Sequence, residues 1–144
     1  MTAPQPPALP FGTTVAFAQR ALTAALHDHL ARIGTAPGTW YALNSLVLRP
    51  VIGSGALRRE LAQAPDVDPS STSELLDRLA SEGLICLDAD QVSLTADGEA
   101  THRRLRESIT GLTAQLLSPF DPNDVETTMR TLRAVTERAT GRDT

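Results

Sequence analysis

Residues 68–98, DPSSTSELLDRLASEGLICLDADQVSLTADG, constrain the fold of this 144-residue chain more than any other stretch. They open on Asp68-Pro69. The aspartate can accept from the first free amides of a helix, and proline suits the first helical position, where its missing N–H costs nothing. Leu75, Leu76 and Leu79 then fall on one face, and Gly83 supplies the stop. Two apolar tetrads follow, LICL at 84–87 and QVSL at 91–94, around Asp88-Ala89-Asp90. They predict two short strands joined by a polar turn. Thr95, with Gly98 and Glu99, opens another helix. Helix, hairpin, helix in this order is the outline of a recognition helix followed by a wing.

The flanks are helical. Val15, Ala18, Leu22, Leu26, Leu30 and Ile33 make one apolar stripe over 14–33, and Gly34 stops it. A second helix is predicted over 38–48 with Trp40, Leu43, Leu46 and Val47 inward. Pro50 and Gly53-Ser54-Gly55 break the chain, and a third helix runs over 55–63 until Pro65. Leu105, Ile109, Leu112 and Leu116 mark a long helix to about 118. Pro119 breaks it, and Asp121-Pro122 caps a last helix to about 139, with Val125, Met129, Leu132 and Val135 on one face. These long outer stripes exceed what a small middle lobe can cover, so a two-fold homodimer knit by the terminal helices is expected.

Charge is distributed unevenly. The net charge is −4, which disfavours non-specific nucleic-acid binding. Residues 54–90 hold three arginines (58, 59 and 78) against eight acids, whereas residues 1–53 are net positive. The most acidic third thus contains the predicted DNA reader. Cys86 is the single cysteine, so there is no disulfide framework or cysteine-based metal site, and a cytoplasmic location fits. It lies in an apolar strand and is expected to pack rather than react. No apolar run reaches the roughly 18 residues of a membrane span. Residues 1–12, rich in proline, read as a flexible arm without the blocks of a signal peptide.

Three segments together resemble the MarR family of winged-helix transcription regulators. ELAQAPDVDPSSTSELLDRLASEGLI (60–85) is similar to that family's helix-turn-helix. VSLTADGEATHRRLRESI (92–109) is similar to the strand leaving its wing and the start of its fifth helix. LSPFDPNDVETTMRTLRAV (117–135) is similar to its closing break and helix. The resemblance implies a mainly α fold, a winged helix-turn-helix with a small two-stranded wing. It makes 13–144 one domain, with the winged lobe at 38–99 and dimerisation helices at 13–34 and 100–140. It also implies a dimer that sets two recognition helices in successive major grooves, with the wings at the flanking minor grooves. A small effector, often aromatic or phenolic, would bind between the dimer helices and the reading lobe and shift the spacing of the two heads.

The resemblance and the residue chemistry together nominate Arg58, Arg59, Ser70, Ser71, Thr72, Ser73 and Gln91 as DNA contacts, with Arg49 as a further backbone clasp. His29, Trp40, Tyr41 and Asn44 are nominated for the effector. Two departures stand out: Glu74 occupies a position where the family usually offers a donor, and the wing, LDADQV, carries no cation. Phosphate neutralisation dominates DNA affinity, so both weaken it. Each nomination also has a plainer reading. The serines serve helix capping, and Arg58 and Arg59 a solvated face. His29 can be a satisfied interface residue, with His27 pointing to the far side, and Trp40 can be core. His102, Arg103, Arg104 and Arg106 read as a solvated basic cluster. Nothing amounts to a nucleophile site, phosphate loop or metal set, and no cofactor is implied. Two functions follow: a ligand-responsive DNA-binding regulator, or a protein that kept the fold and pocket, lost DNA binding, and acts as a small-molecule binder, protein partner or enzyme.

Overall fold

The computed structural model describes residues 10–141. Ten elements follow in order: α1 (Phe11–Arg32), α2 (Pro37–Leu48), β1 (Ile52–Gly53), α3 (Ser54–Ala62), a single 3-10 turn (Pro69–Ser71), α4 (Thr72–Ser81), β2 (Ile85–Asp88), β3 (Gln91–Leu94), α5 (Ala96–Leu117) and α6 (Pro122–Ala139). Most of the expected N-terminal arm lies outside the described residues. Phe11 and Gly12 do not belong to it, because they form the first turn of α1.

The chain divides into two compact units, residues 1–109 and 110–144. The first is built around one apolar core: Leu43 and Leu46 of α2, Leu57 and Leu61 of α3, Leu76 and Leu79 of α4, Ile85 and Val92 of the sheet, Leu105 of α5 and Leu30 of α1. Leucine carries most of it, since large aromatics are scarce, and contiguous burial of this kind is the main force holding such a lobe together. Helix ends are where the glycines predicted them. Gly34 (φ +74°) and Gly83 (φ +79°) adopt the left-handed conformation that a side chain disfavours. At Gly83 the chain reverses tightly enough for the Leu84 amide to donate to the Leu79 carbonyl, 3.0 Å away.

Three details go beyond or depart from the expectations. The expected two-stranded wing, β2–β3, is joined by a short third strand, giving the order β1-β3-β2, all antiparallel. β1 is only Ile52–Gly53, pairing with Val92 and Gln91 across 40 residues of chain, and no periodicity exists in two residues. Second, the recognition element begins as a 3-10 turn, with the α-helix proper starting at Thr72. Third, Cys86 and Val47 are exposed. In β2 only Ile85 is buried: Cys86 faces solvent on the opposite face, and Leu87, on the same face as Ile85, is 39% exposed. An apolar-looking tetrad therefore places Cys86 outward.

The second unit comprises the end of α5 and all of α6. Asp121 caps α6 by accepting from the Asn123 amide at 2.8 Å, with Pro122 at the first helical position. Although α6 is 18 residues long and amphipathic, it has no buried residue. Met129 is 49% and Val135 40% exposed, and Phe120, just before the helix, is 61% exposed. A groove of about 430 Å³ runs beside Leu117, Phe120, Val125 and Met129.

Candidate functional site

Asp68 organises the start of the reading element. Its carboxylate accepts from the Ser70 amide (2.9 Å), the Ser70 hydroxyl (2.8 Å) and the Ser71 hydroxyl (3.2 Å). These bonds, the Ser70 hydroxyl first, hold the carboxyl below the usual aspartate range. Two of the nominated hydroxyls are thus engaged in capping in this structure. Thr72 is buried, 6% exposed, with its hydroxyl turned back toward the Pro69 carbonyl. Ser73 and Glu74 are exposed on the first turn of α4, and Gln91 is exposed on β3. Asp66, Asp68 and Glu74 rim a cleft of about 500 Å³ at the head of α4, with Pro37, Val67 and Leu75 on its apolar side.

The cations divide into engaged and free. Arg49 pairs with Glu60 across the α2–α3 connection, which removes it as a clasp for DNA. Arg78 stands 4.0 Å from Glu82, one turn along α4. Arg58 and Arg59 are exposed on α3 and, among the described residues, no carboxylate lies within 4.0 Å of either. They are the unpaired positive charges of this lobe beside the helix-turn-helix.

The four residues nominated for the effector fall into three separate clusters. His29 Nε2 lies 2.7 Å from the Ser108 hydroxyl and ties α1 to α5. Tyr41 donates its O–H to His27 Nε2 (2.8 Å), and His27 Nδ1–H in turn donates to Asp66 (2.8 Å). With a neutral imidazole this tautomer follows, because a carboxylate can only accept. His27, far from facing outward, is thus the middle of a relay. Burial, followed by the Asp66 charge, pushes the Tyr41 hydroxyl up. Trp40 and Asn44 both engage His102: the rings stack at 5.3 Å with planes 5° apart, and His102 Nε2–H donates to Asn44 Oδ1 at 3.1 Å.

His102 was missed by the reading of residues 102–106 as one solvated basic cluster. It is 6% exposed. The signal was present in its spacing, three residues before Leu105 and seven before Ile109, which places it on the buried face of α5. Burial, with the nearby Arg106 charge, lowers its pKa from the ordinary 6.5. The unfolded chain therefore takes up this proton before the folded one does. The stability that a neutral His102 contributes is complete above pH 6.5 and lost as the pH falls through the lowered folded value. His102→Gln, which keeps an amide donor for Asn44, is expected to flatten the fall in stability below pH 6.5. Urea titrations monitored by circular dichroism between pH 5 and 7.5 measure it, and parallel slopes for both proteins would contradict the assignment.

A helix-turn-helix formed by α3 and α4, followed by the β2–β3 hairpin and backed by α5, defines a winged helix-turn-helix protein. No protein-family model and no curated protein matches the chain. Solved structures do, and they carry the MarR fold. A Mycobacterium tuberculosis MarR family protein in complex with DNA superimposes with a TM-score of 0.75 at 20% identity, covering 89% of this chain and 98% of that one. The same kind of protein in complex with salicylic acid gives 0.70 at 21%, covering 88% and 98%. The reduced form of MarR from E. coli gives 0.72 at 22%, covering 90% and 95%. The chain therefore has the fold that the motifs at 60–85, 92–109 and 117–135 implied.

Proposed function

We propose that the chain is a MarR family transcription regulator: a homodimer that binds operator DNA through α4 and the hairpin, answers to a small effector, and works in the cytoplasm where its operator lies. The observation that carries this reading is the pair Arg58–Arg59, exposed on the helix preceding α4 and without an ion-pair partner among the described residues. Spare cations at that place are what a phosphate backbone requires. The exposed Ser73 and Gln91 supply neutral donors, and Ser70 and Ser71 can exchange the Asp68 carboxylate for phosphate oxygens. The effector contacts are assigned to His29, Trp40, Tyr41 and Asn44, although these four side chains stand in three clusters rather than lining one pocket. Supporting the reading are the fold shared with proteins solved with DNA and with salicylic acid.

The same lobe favours a second reading, a MarR-fold protein without DNA binding. Asp66, Asp68 and Glu74 crowd the head of the reading element, while Arg49 and Arg78 each have a carboxylate beside them. Fluorescence anisotropy with DNA flanking the chain's own gene, at about 50 mM salt, separates the two. The regulator is expected to bind, with a shallow dependence on salt because few cations are displaced. Arg58→Ala with Arg59→Ala should weaken binding about tenfold or more and flatten that dependence further. No binding by a folded protein at low salt would decide for the second reading.

A further inference from the structure

A cavity of about 570 Å³ opens between one face of α1 and the turn joining α3 to the Pro69–Ser71 segment. That volume suits a small organic molecule. Ala16 and Pro65 give it apolar wall. Arg20, Thr23 and His27, at spacings of three and four, line it from the same side of the helix, and Asp66 closes it from the turn.

Its charges are exposed to solvent and lack a full set of protein partners. Among the described residues no carboxylate lies within 4.0 Å of Arg20, whose guanidinium rests over the Phe17 ring at 4.9 Å. Asp66 spends one oxygen, Oδ2, on His27 and makes no hydrogen bond through Oδ1 among the described residues. It is also a non-glycine residue at φ +58°. Left-handed backbone at such a residue costs free energy, and it concentrates at ligand clamps and switches. Arg20 and His27 lie seven residues apart on α1, about 10 Å along the helix axis, and His27 holds Asp66, so the cation belongs to the N-terminal end of the cavity and the anion to its C-terminal end.

We propose that this cavity binds a small linear zwitterion, its carboxylate on Arg20, its ammonium on the free oxygen of Asp66, and its chain along Ala16 and Pro65 past the Thr23 hydroxyl. A simple anion would satisfy Arg20 but face the Asp66 charge, and a simple cation would meet the reverse conflict. A molecule carrying both charges on one chain meets neither. The site is distinct from the positions of Trp40 and Asn44. Asp66 also walls the cleft at the head of α4, so occupancy reaches the reading element. That coupling rests on the regulator reading, whereas the binding does not.

Isothermal titration of the full chain with 6-aminohexanoate tests it, with hexanoate and hexylamine as one-charge controls. The expected result is saturable binding with a millimolar Kd or tighter, detectable at roughly 20 mM ligand. Each control should bind about tenfold more weakly, and so should Arg20→Gln and Asp66→Asn with the zwitterion. Both variants should keep the wild-type circular dichroism spectrum. If Asp66→Asn perturbs the fold, Arg20→Gln, on an exposed side chain, still decides. Equal binding of hexanoate or hexylamine, undiminished binding by Arg20→Gln, or no heat from the folded wild type would overturn the proposal. None of these outcomes depends on DNA.

Discussion

Gly98→Ala is expected to cost about 3 kcal/mol or more, the upper range for one added methyl group in packed surroundings. Gly98 lies in the first turn of α5, where a Cβ would fall on the carbonyl oxygen of Leu84 and within 3.1 Å of the Leu94 side chain. Leu94 can yield; the carbonyl cannot do so freely. It already accepts from the Thr95 amide at 3.2 Å, and the Thr95 hydroxyl donates to the neighbouring Gly83 carbonyl at 2.5 Å. Thr95 Oγ1 also accepts from the Gly98 amide at 3.0 Å. The methyl group would therefore part α5 from the junction of α4 and β2 and loosen the hairpin with it. Gly111, on the same helix, has open space around its Cβ position, so Gly111→Ala should instead stabilise by about 0.5–1 kcal/mol. Urea unfolding of both variants measures the contrast. A Gly98→Ala protein within about 0.5 kcal/mol of wild type would show that the Leu84 carbonyl can swing aside.

The second large effect concerns assembly. Under the two-copy reading, Val125→Asp with Met129→Asp should raise the dimer dissociation constant about 100-fold or more, the scale of losing central apolar anchors in an interface. Both residues lie on the α6 stripe, none of whose residues is fully buried in the single chain, and both line its groove. Stripes of this length need a partner surface. Because Met129 is exposed and Val125 only half-buried, the variant should keep most of its helical content. Sedimentation equilibrium at micromolar concentration reads the result. A monomeric wild type, or a variant as dimeric as the wild type, would remove the terminal helices as the dimer seam.

Most of the architecture was legible because it rests on local chemistry. Asp68-Pro69, Gly83, Pro119 and Asp121-Pro122 punctuate the chain through their own backbone preferences, so the helices and the β2–β3 hairpin could be placed to within about three residues. What escaped depends on contacts distant in sequence. β1 exists only because Ile52 and Gly53 pair with residues of β3. The Arg49–Glu60 pair and the Tyr41–His27–Asp66 relay join residues of different elements, and helix phase alone cannot say what lies opposite a side chain. His102 is a different case: its burial was readable from its spacing to Leu105, but three neighbouring arginines drew it into a surface reading. The acidic bias of 54–90 was legible as a total, whereas which cations remain unpaired required coordinates.

Trp40 is the protein's only tryptophan, and it lies flat against the imidazole of His102. An indole in that position is an intrinsic optical probe whose emission answers to a single seam, that between α2 and α5. Fluorescence excited selectively at the indole would thus follow the integrity of the reading lobe in real time, with no label attached.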